Sequence, residues 1–175
     1  MFKRLLVPID GSKLSQAAVP YAAQLAATLG SEIVLLYVFH SQPESQDGLN
    51  GSDPKQRHEL EQIGQRALDE ALQLIGVPAH QVLQEAHDDD VARTIVDVTE
   101  EQGADLIVIS SHGLGCTAPG REPTGSMMGR VAERVMNRAK TPVLLVRDST
   151  RNALNHPEPS NAAGTEVASL ARSTP

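Results

Sequence analysis

The sequence predicts an α/β domain built on a mostly parallel open sheet with helices on both faces. Apolar runs typical of buried strands alternate with segments whose apolar residues recur every three or four positions, in the order β-α-β-α-β-α-β-α-β. Two Phe, two Tyr and no Trp are present, so aliphatic side chains have to form the core. Parallel strands covered on both faces are runs of this kind. We therefore expect right-handed crossovers between the strands.

The N-terminal part contains the first two strands and the first helix. Leu5–Ile9 is a short apolar run that ends in the turn sequence DGS. Leu14–Leu29 has apolar residues at helical spacing, and Gly30 follows as a stop signal. Pro20 interrupts this pattern, so it either kinks the helix or marks a late start of its regular part. Ile33–Phe39 is an unbroken apolar run, which predicts a central strand.

The alternation continues after a surface loop at residues 41–53, which is polar and lacks periodicity. Asp53 and Pro54 supply an N-cap and a first-turn proline for the second helix. The apolar positions of this second helix include Ile63, and those of the fourth helix include Met136. We expect these apolar side chains to pack on the sheet. The later elements are a weak strand at Gln81–Ala86, a helix from Val91, a strand at Leu106–Ser110, a helix around Met128–Ala139 and a strand at Val143–Val146.

Length and charge limit the class of protein. A chain of 175 residues suits one domain. Its net charge of -7 argues against a general nucleic-acid surface, because binding to a phosphate backbone needs clustered Lys and Arg. Residues 148–175 are rich in small, polar and helix-breaking residues. We therefore expect one domain over residues 1–147, followed by a disordered tail.

The single cysteine, Cys116, cannot form an internal disulfide, which fits a reducing compartment. The N-terminus has too few apolar residues for a signal peptide, and no apolar run approaches the roughly 20 residues needed to span a bilayer. We therefore expect a cytoplasmic protein with no membrane partner. Cys116 itself is either a redox-sensitive thiol in a polarised loop or a position without a special role.

The region from the fourth strand to the fourth helix is the expected functional region. A strand, a glycine-containing loop and a helix form a phosphate-binding layout. Glycines let backbone N–H groups approach an anion closely, and the N-terminus of the following helix attracts negative charge. An acidic run, HDDD at residues 87–90, suggests a magnesium or calcium site, but we favour an acidic helix start stabilised by the helix dipole.

Three motifs, VPIDGS at 7–12, GADLIVISSHG at 103–113 and GRVAERVMNRAKTPVLLVR at 129–147, together resemble the universal stress protein family. The resemblance implies a Rossmann-like, five-stranded sheet of order 3-2-1-4-5 and a homodimer formed through the last strand, residues 143–147. Many members bind ATP with the pattern Gly, two residues, Gly, nine residues, Gly, then Ser or Thr. Other members lack this pattern and bind no nucleotide.

The resemblance also implies where a ligand binds. In a sheet of this order a crevice opens at the carboxyl ends of strands one and four. Asp10 would lie near the ribose or a phosphate-bound Mg²⁺, and Pro8 with the backbone of Ile9 would lie at the adenine edge. Val38 would pack on the adenine, whereas the sequence alone makes it a core residue. Asp10 also has a second interpretation, as the N-cap of the first helix. Gly113 is expected to face Asp10 across the crevice.

The glycine loop begins as the family pattern does and then departs from it. His112 and Gly113 match the start, and His112 is either a phosphate donor or a loop histidine against the end of the sheet. Cys116 stands where the pattern has its second glycine, and Gly115 lies one residue earlier. Glycine is the residue that tight turns favour, so the loop is expected to take a different path.

The third glycine of the pattern can be assigned in two ways. The helix register selects Gly129, which is followed by Arg130 instead of Ser or Thr. Counting instead from Gly115, with nine residues between, selects Gly125 and Ser126. We favour Gly125 and Ser126, because a Ser hydroxyl and N–H at a helix start suit a phosphate. The guanidinium groups of Arg121 and Arg130 are further candidates for bidentate phosphate contacts.

These observations predict a stress-response protein that binds ATP with Mg²⁺, or a related adenine nucleotide, as a ligand or switch. Any hydrolysis is expected to be slow, because the sequence has no GxxxxGK[ST] lysine and no evident set of charge clamps. The alternative is a dimeric interaction protein that binds no nucleotide and whose crevice is closed by the loop at residues 114–128.

Overall fold

The computed structural model describes residues 2–40, 54–114 and 128–147. In these residues five parallel strands form one sheet of order β3-β2-β1-β4-β5, so the predicted fold class and strand order are confirmed. A short 3-10 turn at His87–Asp89 precedes the helix that begins at Val91. The elements are β1 Arg4–Ile9, α1 Lys13–Gln16, α2 Ala18–Leu29, β2 Glu32–Phe39, α3 Pro54–Leu72, β3 Ala79–Glu85, α4 Val91–Glu101, β4 Leu106–Ser110, α5 Arg130–Arg138 and β5 Val143–Val146.

Two apolar clusters cover the two faces of the sheet, because successive side chains of a strand point to opposite faces. The first cluster contains Leu5 and Val7 of β1 together with Ala22 of α2 and Leu68 of α3. The second contains Leu6 of β1 together with buried residues of α4 and α5. The central strand β1 is thus buried on both sides, as its continuous apolar run predicts.

Pro20 marks a late helix start rather than a kink. The chain forms the short α1, passes through Ala17, and begins the regular helix α2 at Ala18. Pro20 therefore lies in the first turn of α2, where a backbone N–H has no partner inside the helix. The helix ends where predicted, because Gly30 takes the left-handed conformation at φ 68°.

Several predicted apolar positions of the helices are exposed, and Ile63 and Met136 are two of them. Ile63 is 52% exposed and Met136 is 45% exposed, so neither side chain packs on the sheet as expected. Helix α3 packs on the sheet through its buried apolar residues and also through Gly64, where an added Cβ would lie 2.5 Å from Leu83 Cδ1 and 2.7 Å from Tyr37 Cδ1. Apolar periodicity therefore predicted part of this contact and missed the glycine.

The two edge strands differ in polarity. β3 begins at Ala79, two residues earlier than predicted, and carries polar residues such as His80 and Gln81. β5 has the predicted bounds and consists of four apolar residues, of which Leu144 is 41% exposed. β5 therefore presents an apolar sheet edge, which soluble proteins normally cover or pair.

Three predicted segments lie outside the described residues: the polar loop at 41–53, most of the glycine loop at 115–127, and the tail at 148–175. In the ranges that are described, no helix has the length and apolar character that crossing a membrane requires.

Candidate functional site

β1 and β4 do not pair with each other towards their carboxyl ends. β1 pairs with β2 along its whole length, whereas it pairs with β4 only at Leu5 and Leu6. The Arg4 carbonyl accepts a hydrogen bond from the Asp105 N–H at 3.0 Å. Every second residue of β1, counted from Arg4, therefore turns its backbone N–H and C=O towards β4. Pro8 is in this series and has no N–H, so the ladder stops before it. We call the region between Pro8 and the residues after β4 the β1–β4 crevice.

The Asp10 carboxylate bridges the two strand ends across the crevice. Its Oδ1 accepts the N–H of Ser12 at 3.0 Å, and its Oδ2 accepts the N–H of Leu114 at 2.7 Å. The N–H of Asp10 donates to Ser15 Oγ at 3.1 Å instead of continuing the ladder. The N-cap of α1 is Ser12, whose hydroxyl accepts the Ser15 N–H at 3.0 Å. The interpretation of Asp10 as an N-cap is therefore wrong.

Gly113 lies directly against the Asp10 carboxylate. A Cβ added at Gly113 would collide with Asp10 Oδ2 and would lie 3.2 Å from Asp10 Cγ. No left-handed φ is involved, so the requirement for glycine comes from this close approach. Any larger residue would have to push the carboxylate away from the loop.

Helix α5 begins beside the end of β4. Its N-cap, Gly129, donates its N–H to the Ser111 carbonyl at 2.7 Å, and the Glu133 N–H bonds the Gly129 carbonyl at 3.0 Å. The first-turn N–H groups that follow, starting with that of the exposed Arg130, have no acceptor inside the helix. The N-terminus of α5 therefore adds partial positive charge near the crevice.

The residues after β4 are polar but mostly covered. Ser111 is 1% exposed, and its hydroxyl lies 2.9 Å from Nδ1 of the half-buried His112. The His112 N–H approaches Ser110 Oγ at 3.4 Å. His112 thus packs at the sheet end and also lies next to the crevice, so both of its predicted interpretations fit this position. Val38 is half-buried near the end of β2, against the cluster beneath α4 and α5.

The comparison with known proteins bears on the identity of this site. The sequence model of the universal stress protein family matches residues 1–147. This chain belongs to the universal stress protein family. A universal stress protein of Synechocystis is 32% identical over 148 residues, covering 83% of this chain and 86% of the relative. One of Methanocaldococcus jannaschii is 31% identical over 150 residues, covering 84% and 83%.

Solved structures of the family share the fold of this universal stress protein. That of a second Methanocaldococcus jannaschii protein, MJ0577, has a TM-score of 0.67 at 20% identity and covers 85% of this chain and 97% of its own. A universal stress protein in complex with cAMP gives a TM-score of 0.57 at 23% identity, covering 83% and 97%. One from Archaeoglobus fulgidus in complex with dAMP gives 0.54 at 19%, covering 82% and 96%.

Tyr37 is a neighbour of the site that the sequence did not indicate. It is the register partner of Ile9, and its ring lies beneath the β1–α1 turn, where a Cβ at Gly11 would be 3.8 Å from Tyr37 Cε2. Burial raises the pKa of the Tyr37 hydroxyl, and the Asp10 carboxylate raises it further. The hydroxyl of Tyr37, near the end of the otherwise apolar run Ile33–Phe39, was the signal that could have found it.

The acidic run at residues 87–90 of this universal stress protein starts a helix, as we favoured. Asp90 is the N-cap of α4, and its Oδ1 accepts the Arg93 N–H at 3.2 Å. A hydrogen bond from the Arg138 guanidinium lowers the pKa of Asp90, so the run ties α4 to α5. In the part of the chain that the structure describes, no group of three or more His, Cys, Asp or Glu could hold a metal ion.

The structure places most of the predicted site at the carboxyl end of the sheet. It brings Pro8, Ile9 and Asp10 to one side of the crevice, and the residues from His112 to Gly113 to the other. Five predicted residues lie outside the described residues, and their relation to the crevice stays a prediction: Gly115, Cys116, Arg121, Gly125 and Ser126.

Proposed function

We propose that this universal stress protein binds an adenine nucleotide in the β1–β4 crevice, as a ligand or switch. The observation that carries the proposal is the early end of the β1–β4 ladder, which leaves the strand ends at Asp10 and Gly113 joined by a side chain rather than by backbone pairing. This position, outside the carboxyl ends of the strands, is where such sheets bind ligands. The cAMP and dAMP complexes of its structural relatives support an adenine nucleotide as the ligand class.

The described residues suit the parts of such a ligand. The half-buried Val38 offers an apolar surface for the base, and the α5 N-terminus with the exposed Arg130 offers donors for phosphate oxygens. For ATP with Mg²⁺, Asp10 is the described carboxylate that could bind the ion, since Mg²⁺ takes one or two carboxylates plus phosphate oxygens. Magnesium would neutralise phosphate charge there. Slow turnover remains part of the proposal, because no GxxxxGK[ST] lysine is in the sequence.

The experiment is isothermal titration calorimetry with ATP, AMP, cAMP and adenosine, each with and without Mg²⁺. Val38→Asn should weaken binding of all four compounds, because it places an amide against the base. Val82→Asn is the matched control, since Val82 is also a partly buried valine packed on the same cluster but belongs to the edge strand β3. Val82→Asn should leave binding unchanged.

Two outcomes would count against the nucleotide proposal. The wild-type protein could fail to bind any of the four compounds at millimolar concentration, as judged by calorimetry and by the absence of a ligand-dependent rise in melting temperature. Alternatively, Val38→Asn and Val82→Asn could weaken binding equally, which would place the base away from β2.

The second candidate, a dimeric interaction protein, is supported by a different observation. Two amides in the predicted phosphate region are already bonded within the chain: Leu114 N–H to Asp10, and Gly129 N–H to the Ser111 carbonyl. The apolar edge of β5 offers a surface that two copies of the chain could pair through. A homodimer is compatible with the nucleotide proposal as well.

The dimer is tested at Leu144, which is exposed on β5, whereas Val143 and Leu145 pack against the cluster beneath α4 and α5. Leu144→Lys should give a monomer by multi-angle light scattering, because lysine blocks edge pairing. Gln81→Lys on the opposite edge, β3, is the control and should leave the assembly state unchanged. A dimer that survives Leu144→Lys places the interface elsewhere.

A further inference from the structure

The Asp10 carboxylate accepts a hydrogen bond from a backbone N–H that a bound phosphate would need. Asp10 Oδ2 accepts the N–H of Leu114 at 2.7 Å, and it contacts the Gly113 backbone so closely that a Cβ at Gly113 would have no room. Gly113 and Leu114 begin the loop that the sequence predicts to receive phosphate. The carboxylate is therefore seated where phosphate oxygens would approach.

A phosphate oxygen that approached the Leu114 N–H would compete with the Asp10 carboxylate. A single N–H cannot serve the carboxylate and a phosphate oxygen with good geometry at once. The N–H of Ser12 holds the other carboxylate oxygen at 3.0 Å, which keeps Asp10 aimed at the crevice. Repulsion between like charges a few ångströms apart near a protein surface corresponds to about tenfold or more in affinity.

From this geometry we infer that Asp10 selects against phosphate charge. The inference rests on the proposed function and assigns its ligand class: adenosine monophosphates are favoured over free polyphosphates, and a polyphosphate binds well only when a divalent cation offsets its charge. Asp10 thus acts as a specificity-determining residue that disfavours negative ligands, in addition to closing the strand ends. The resemblance to the family implied a place for Asp10 near the ribose or a phosphate-bound Mg²⁺, and it did not imply selection against phosphate charge.

The chain provides a matched control at the other end of the same two strands. Asp105 accepts the N–H of Lys3 at 2.9 Å and that of Arg4 at 3.1 Å, so it also is a carboxylate that joins the segments of β1 and β4. Asp105→Asn therefore changes the net charge by the same amount and removes the same kind of interaction. It lies at the amino end of the sheet, away from the crevice.

The test is calorimetric titration of the full chain with ATP, AMP and adenosine in the presence of EDTA. Asp10→Asn should bind ATP about tenfold more tightly than the wild type and AMP with a smaller gain. Adenosine, which carries no phosphate, should bind both proteins equally. Asp105→Asn should match the wild type for all three compounds.

Asp10→Asn keeps one acceptor oxygen for Leu114, so the fold is expected to persist, which circular dichroism would check. Faster hydrogen exchange of the Leu114 amide in Asp10→Ala provides a second reading of the same bond and would support the inference. If adenosine binds but Asp10→Asn binds ATP equally or more weakly, the inference is overturned while the proposed function stands. If the wild type and Asp10→Asn bind none of the three compounds, both are overturned.

Discussion

An aspartate side chain joins β1 and β4 at each end of the pair, but the amino end has more hydrogen bonds than the carboxyl end. At the amino end, Asp105 accepts the amides of Lys3 and Arg4, and its own N–H donates to the Arg4 carbonyl at 3.0 Å next to a regular ladder. At the carboxyl end the ladder is absent, and the Asp10–Leu114 bond spans the gap. β1 and β4 are thus fixed at one end by several bonds. At the other end they are held by a contact that a ligand could replace.

Further contacts strengthen the amino end. The Arg4 guanidinium bonds Glu32 on β2 and the carbonyl of Gln102 before β4. Glu32 Oε2 also lies 3.3 Å from His80 Nε2 on β3. The Arg4 side chain thus links β1 to β2 and to the end of α4. Loss of any single contact there should leave the strand order intact.

The largest expected effect on the free energy of unfolding comes from replacing a glycine by alanine, which is possible at each end of the β1–β4 pair. Gly113→Ala should cost about 2–3 kcal/mol, because the new Cβ breaks the charged hydrogen bond from Leu114 to Asp10. Gly103→Ala, at the amino end, should cost about 1 kcal/mol, because φ is 62° there but the nearest atom, Arg4 Nη1, is 3.8 Å away. Urea unfolding measures both. Equal costs would contradict the special closeness at Gly113.

A smaller effect on stability, with a change in binding, is expected for Pro8→Ala. The new N–H points towards β4 and can extend the ladder, which contributes about 0.5–1.5 kcal/mol, while the more flexible unfolded chain costs about 0.4–1 kcal/mol. Stability should therefore change by less than about 1 kcal/mol. Affinity for adenosine should decrease, because pairing narrows the crevice. If the new amide exchanged slowly and the affinity for adenosine stayed the same, the extent of the β1–β4 ladder would have no effect on binding.

The smallest effect is the pH dependence of the amino end. The hydrogen bond from Arg4, aided by its charge and by His80, holds the pKa of Glu32 below its usual range. A lowered folded-state pKa stabilises the protein above the unfolded value of about 4.3 and loses that contribution as the pH falls through the folded value.

Wild-type stability should therefore fall more between about pH 5.5 and about pH 3.5 than that of Glu32→Gln, measured as urea midpoints at both pH values. The difference should be small, because the pair is solvent-exposed and screened. Parallel curves for the two proteins would show that Glu32 contributes nothing to acid sensitivity.

Much of the fold could be predicted because it depends on short-range patterns. The bounds of β4 and β5 match the predicted ones, and the left-handed Gly30 ends α2 where the stop signal predicted. Apolar periodicity failed at Ile63 and Met136, because it reports which face of a helix is apolar and not how closely that helix approaches the sheet. Only the packed structure shows that Gly64 also takes part in the contact of α3 with the sheet.

The order of strands and helices along the chain, the apolar character of β5 and the concentration of glycines after β4 could be predicted, because these are properties of neighbouring residues. That Pro8 ends a ladder and that Asp10 holds an amide 104 positions away became visible only in the folded chain. Whether a backbone N–H is available to a ligand depends on its partner in space. No local pattern specifies that partner, so the sequence could place Asp10 opposite Gly113 but could not show which amides are already bonded within the chain.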